Sequence, residues 1–262
     1  MARALTPAVI GLLAWAAVAD AQKPSYLDAV AAIEKSRALA LEYGRSLPDF
    51  LCTEVISRFA DPHRHGEWFP TDTLTLQLSY FEQKENHKLI LIDGKPTDRT
   101  YESLGGAVGV GEFGATLHSI FDPDSQARFQ WESWKNVRKR RAAVYSYVVE
   151  PAHSRFSLAV RAGEGWRYGI VGFHGVVAIE DGSGAVLSFS YDADHIPKSI
   201  GIESSSSSVD YEFADVGGRD YLLPATAETV LQSPREWVRN RVEFRQYRKF
   251  ASESTITFGL AK

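Results

Sequence analysis

Cysteine occurs once in the 262 residues, at Cys52. An intramolecular disulfide is therefore excluded, and any fold must be held by a core, which about 240 residues can bury without cross-links. Cys52 lies within an apolar, alternating stretch, where a lone thiol serves as a small buried side chain. No G-x-S-x-G elbow, P-loop or H-E-x-x-H motif occurs, and no motif asks for a cofactor. The formal net charge is only -4, so nothing demands a polyanion, and nucleic acid is not an expected partner. Internal repeats are absent. Long apolar runs are also scarce. The one present, Ala4 to Val18, follows Arg3 and is broken in polarity only by Thr6. It is shorter than the roughly 20 residues that span a bilayer. Ala17-Val18-Ala19 or Ala19-Asp20-Ala21 places small residues at the positions a signal peptidase reads. Residues 1–21 therefore read as a signal peptide and residues 22–262 as one domain, periplasmic or secreted. No cysteine follows the run to carry a lipid anchor.

Strand grammar fills most of the remainder. The stretch from Gly175 to Tyr191 alternates, turns at Asp181-Gly182-Ser183-Gly184 and alternates again, which is a β-hairpin signature. Val177 and Ile179 share one face of its first strand, and Leu187, Phe189 and Tyr191 one face of its second. Similar segments run from Phe50 to Phe59, Asp72 to Gln83, Lys88 to Ile92, Gln126 to Trp134, Ala142 to Glu150, Arg155 to Arg161, Gly169 to Glu180, Val209 to Val216, Tyr221 to Leu231 and Val238 to Lys249. Ser204 to Ser208 reads as a flexible loop.

Two helices interrupt the pattern. Ser25-Tyr26-Leu27-Asp28 resembles a capping box, and Tyr26, Val30, Ile33, Arg37 and Leu41 follow at helical spacing up to Gly44. After the glycines from Gly105 to Gly114, Phe113, Leu117, Ile120 and Phe121 recur on one face, and Asp122-Pro123 ends them. A sheet of ten or eleven strands must curl, close or split, and two helices cannot cover both faces of a flat one. The expected architecture is mainly β with helices (α+β): a curved antiparallel half-barrel with an N-terminal helix and an inserted lid-like helix.

A candidate ligand-binding wall follows from that curvature. Leu76, Leu78 and Tyr80 share a strand face, and Phe129, Trp131, Tyr145 and Tyr147 are spaced to pair across a hairpin. Phe113, Leu117 and Phe121 of the glycine-hinged helix would cover them. The same ten residues could equally be the core.

Other clusters carry weaker chemistry. Asp61-Pro62-His63-Arg64-His65-Gly66-Glu67 holds enough imidazoles and carboxylates for zinc only if they converge, and a solvated loop explains it. Asp192-Ala193-Asp194-His195 could orient a base, but no nucleophile accompanies it. Gly109-Val110-Gly111-Glu112-Phe113-Gly114 matches a dinucleotide fingerprint outside its parallel βαβ setting, so the glycines read as a hinge. The basic run from Lys135 to Arg141 reads as a solvated hairpin tip, with peripheral contact to an anionic membrane as the second reading.

Several passages carry a family resemblance. The order of elements, the hairpin from Gly175 to Leu187 and the segment Asp210-Tyr211-Glu212-Phe213-Ala214-Asp215-Val216 through Leu223-Pro224 resemble the superfamily of periplasmic outer-membrane lipoprotein carriers. This superfamily is called LolA-like and includes the RseB sensor domain. Leu47-Pro48-Asp49-Phe50-Leu51-Cys52-Thr53, Gly111-Glu112-Phe113-Gly114 and Val242-Glu243-Phe244-Arg245 are similar to a group of exported bacterial proteins without an assigned activity. The resemblance implies an apolar cavity under a movable lid that shelters acyl chains. Three functions stay open: a non-enzymatic shelter for a lipid, acyl chain or other apolar ligand; an envelope sensor or interaction domain with a self-filled core and a protein partner; and, with least support, a metal-dependent hydrolase using His63, His65 or His195.

Overall fold

The computed structural model describes residues 22–104, 111–162 and 165–250; the expected signal peptide and Gly105 to Val110 lie outside the described residues. Helix α1 spans Tyr26–Ser46, with the side chain of Ser25 accepting from the Asp28 N–H as its N-cap. Strands follow as β1 (Phe50–Asp61), β2 (Phe69–Phe81), β3 (Lys84–Ile92) and β4 (Lys95–Pro96), then a 3-10 turn at Tyr101–Leu104 and helix α2 (Ala115–Phe121). After these come β5 (Arg128–Val137), β6 (Arg140–Val149), β7 (Ser157–Ala162), β8 (Gly165–Ile170), β9 (Gly172–Glu180), β10 (Val186–Asp194), β11 (Ser204–Asp215), β12 (Asp220–Gln232) and β13 (Trp237–Lys249). Among the described residues, no helix is long and apolar enough to cross a membrane.

Eleven strands form one antiparallel sheet in the order β4-β3-β2-β1-β13-β12-β11-β10-β9-β6-β5, which does not close into a barrel. The half-barrel expectation therefore holds. β1 and β13 are neighbours within it, paired from Phe50 opposite Lys249 to Asp61 opposite Trp237 with a register shift between Leu51 and Thr53. β7 and β8 form a separate hairpin over a small core of Leu158, Val171, Ile200 and Ile202. The apolar faces of the large sheet, α1 and α2 share one core.

Three local readings change. The inward stripe of α1 is Ser36, Ala40 and Tyr43, which are buried, with Ala29 and Ile33 half-buried beside them, whereas Tyr26 and Val30 are exposed. Small side chains let the helix lie against the β9–β10 turn, where Ser36 Oγ donates to the Gly184 carbonyl at 2.8 Å. In β10 a register shift between Val186 and Ser188 turns Leu187 to the outer face, onto Ala142 and Ala178, away from Phe189 and Tyr191. Ser204 to Ser208 is no loop but the first half of β11, paired with Ser208 opposite Glu228 through Ser204 opposite Gln232. Two of its hydroxyls bond to β12: Ser204 Oγ donates to Gln232 Oε1 at 2.6 Å, and Ser207 Oγ to the Glu228 carbonyl at 3.0 Å. Neighbouring strands on both sides override the weak strand preference of serine.

The β9–β10 hairpin itself forms as its sequence requires, with Gly182 and Gly184 at φ +81° and +77°. Gly175 has another role. A Cβ there would stand 1.9 Å from the Ser190 carbonyl oxygen, so only glycine permits this approach of the two backbones.

Candidate functional site

The ten wall residues come together on the inner face. Leu76, Leu78, Tyr80, Phe113, Leu117, Phe121, Tyr145 and Tyr147 are buried in the central core, and Phe129 and Trp131 pack against it half-buried. The expected cross-strand pairs are realised, Phe129 opposite Tyr147 and Trp131 opposite Tyr145. Alternation in β2 and β6 places these side chains inward, and the one-sided pattern of α2 supplies the cover.

Aromatic rings fill the space between cover and sheet. Phe113 lies 5.4 Å from Phe50, 6.0 Å from Tyr80 and 5.5 Å from Phe244, centroid to centroid. Phe121 stacks on Phe129 at 5.3 Å, and the series continues through Tyr147 and Phe173. Four buried phenols find backbone acceptors: Tyr80 donates to the Gly44 carbonyl at 2.7 Å, Tyr147 to that of Ser190 at 2.9 Å, Tyr43 to that of Leu222 at 2.8 Å and Tyr211 to that of Glu112 at 2.7 Å. Burial pushes the pKa values of Tyr43, Tyr147 and Tyr211 well up, so these phenols stay protonated and able to donate. Cys52 is fully buried as expected, and burial followed by the Glu54 charge raises its thiol pKa.

A half-open cleft of about 260 Å³ lies between α1 and strands β5, β6 and β9. Ala31, Ala32, Trp134, Ala143, Tyr145 and Ile179 line it, with Asp28 and Lys35 at the rim.

A polar cluster on the same inner face was not anticipated. Glu54 of β1, between the inward Cys52 and Ile56, is buried and lies 2.7 Å from His87 Nδ1 of β3; the other ring nitrogen is 3.4 Å from Glu85. Burial opposes the charge on His87, but Glu54 and Glu85 outweigh it and push its pKa up to about 10. Tyr101 packs its ring 6.2 Å from the imidazole. Glu112, just before α2, is buried, and desolvation pushes its pKa up to about 7. A sequence signal existed: Glu54 occupies an inward position of an otherwise apolar alternation, where a lone carboxylate needs a partner.

The remaining candidates separate. Asp61 organises its own loop, accepting from the backbone N–H groups of His63, Arg64 and Gly66 at 3.0, 2.7 and 2.6 Å. Desolvation opposes its charge, and these N–H groups together hold its pKa below the usual carboxylate range. His63 and His65 stand with ring centroids 6.3 Å apart, and among the described residues no three His, Cys, Asp or Glu side chains are grouped to hold a metal. Asp194 does not orient His195; its carboxylate lies 2.6 Å from His174 Nδ1. Of the glycines leading to α2, Gly111 and Gly114 have φ of +102° and +120°, and the sheet around them is antiparallel.

The basic turn is solvent-exposed, as its sequence implies, and its arginines are paired at the surface. Arg138 pairs with Glu212, Arg140 with Glu180 at 2.7 Å and Arg141 with Asp181 at 3.4 Å. Arg140 also lies over Phe213 and Arg141 over Trp134. The tip is thereby tied to β9, its turn and β11.

No protein-family model matches this chain, and no curated protein matches it. Solved structures do, at low identity. A DUF1329 family protein from Desulfovibrio piger is 12% identical, with 85% of this chain and 95% of that one covered and a TM-score of 0.41. A putative outer membrane lipoprotein-sorting protein domain from Vibrio parahaemolyticus is 9% identical over 85% and 92%, with a TM-score of 0.34. A LolA superfamily protein from Nitrosomonas europaea is 8% identical over 85% and 94%, with a TM-score of 0.31. The superfamily that the sequence resembles is thus among the solved structures similar to this chain.

Proposed function

We propose that the protein is an exported, non-enzymatic interaction or sensor domain of the cell envelope, whose concavity is occupied by its own side chains and whose partner is another envelope protein. The observation that carries this reading is the contact of Phe113 and Phe121 with aromatic side chains of the sheet. A ligand lying beneath α2 would have to displace those rings. Shelter of an apolar molecule is the second reading, favoured by the apolar-lined cleft beside α1.

Titration of delipidated protein with a fluorescent fatty acid separates the two. The interaction reading expects no saturable binding at micromolar probe, and recovery of an envelope protein in a pull-down. Saturable binding abolished by Leu117→Asp would overturn it in favour of a site beneath α2. Saturable binding abolished by Ala32→Trp would place the ligand in the α1 cleft.

A further inference from the structure

Glu112 is a carboxyl enclosed at the entrance to α2, 7% exposed, with Gly111 before it and Phe113 after it. Its carbonyl is held by the Tyr211 hydroxyl, and Phe113 is wedged among Phe50, Tyr80 and Phe244. The short helix beyond it has no side-chain cap, and its N-cap Gly114 has a positive φ. This segment closes the inner wall through Phe113, Leu117, Ile120 and Phe121, and one buried acid stands at its start.

The acid's surroundings are rich in negative charge. Desolvation opposes its charge and its own backbone N–H favours it; Glu54 of β1 and Glu85 of β3 repel the ionised form, His87 of β3 favours it, and its charge in turn acts on Tyr101 of the 3-10 turn, Tyr191 of β10 and Tyr211 of β11. Tyr43 of α1 meets Tyr211 edge-on. Arg58 of β1 acts on Tyr101 but is held by Asp72 of β2 at 2.6 Å. With His87 shared between Glu54 and Glu85, an ionised Glu112 would add a third carboxylate to one imidazolium in a site largely shielded from water.

We propose that the Glu112 carboxyl is a proton-operated latch: protonated, it helps hold the segment from Gly111 to Phe121 closed on the sheet; ionised, it weakens that hold and makes opening of α2 more frequent. Closed, the carboxyl keeps its proton up to about pH 7, against an ordinary value of 4.5. Closure therefore binds a proton between these values. α2 is held most firmly below pH 4.5, loses that hold as pH rises, and is held least above pH 7.

Hydrogen exchange of the whole protein from pH 5 to 8, corrected for intrinsic rates, tests the latch. In peptides covering residues 111–121 the opening constant is expected to rise about tenfold per pH unit between about 5 and 7, then level off. Reference peptides covering residues 74–80 should not follow. Glu112→Gln should stay closed and pH-independent. A flat profile in the unaltered protein, or a slope that survives Glu112→Gln, would overturn the proposal. Should that variant fail to fold, Glu85→Gln removes a neighbouring negative charge at a more accessible position; it is expected to move the levelling to lower pH, and an unmoved profile would count against the latch equally.

Discussion

Replacing Phe121 by alanine would remove a fully buried ring that stacks on Phe129 beneath the end of α2. Transfer of that ring out of water contributes about 2–3 kcal/mol. The lost space of roughly 100 Å³ adds about 2 kcal/mol unless neighbours collapse into it. Loss of the aromatic pair contributes about 1 kcal/mol more. Partial relaxation brings the expected destabilisation to about 3–5 kcal/mol. Urea unfolding followed by tryptophan fluorescence and far-UV circular dichroism would read this as a midpoint lowered by about 1–2 M, for a slope of about 2–3 kcal/mol per molar. Phe213→Ala, on a ring 41% exposed beneath Arg140, is the matched control and should cost about 1 kcal/mol. A Phe121→Ala protein within about 1 kcal/mol of the parent would refute a filled concavity, because α2 would then be a loosely seated cover.

Two other outcomes follow from the geometry. His87 holds its proton to about pH 10 in the fold against 6.5 in an open chain, so its contribution is complete below pH 6.5 and is lost as pH rises towards 10. Imidazole NMR should find it charged at pH 8, and His87→Gln should cost about 3–5 kcal/mol at neutral pH by leaving Glu54 buried without its cation; a neutral ring at pH 8 would discard this pairing. Gly175→Ala should cost about 3 kcal/mol or more, because the new methyl group meets backbone rather than a movable side chain. A Gly175→Ala protein that melts with the parent would show that β9 and β10 can part there at little cost.

Much of the architecture was legible in the sequence because period-two alternation and turn residues act locally. The β9–β10 hairpin and the one-sided α2 segment are examples, as are the cross-strand aromatics of β5 and β6. What escaped depends on partners distant in the chain. The serine run becomes a strand only because Thr229 and Gln232 of β12 accept it, and Leu187 leaves its expected face through a one-residue register shift. The stripe of α1 is set by the turn it rests on, about 150 residues away, where alanine and serine fit and larger side chains do not. At the site, the ten wall residues were recognisable by pattern, whereas the grouping of Glu54, Glu85, His87 and Glu112 requires the sheet to bring three segments together. Arg138, Arg140 and Arg141 looked free because their carboxylate partners lie in other strands and turns.

The seam between β1 and β13 has a consequence for assembly. A chain made N-terminus first offers β1 long before its partner exists, and about 200 residues separate Phe50 from its opposite number Lys249. Hairpins on either side can form early, yet the two wings of the sheet stay unjoined until the final strand arrives, so maturation should be slow and should present two raw edges meanwhile. Loss of the last dozen residues of that seam would leave β1 and β12 unzipped side by side, a state prone to protease attack and to pairing between chains.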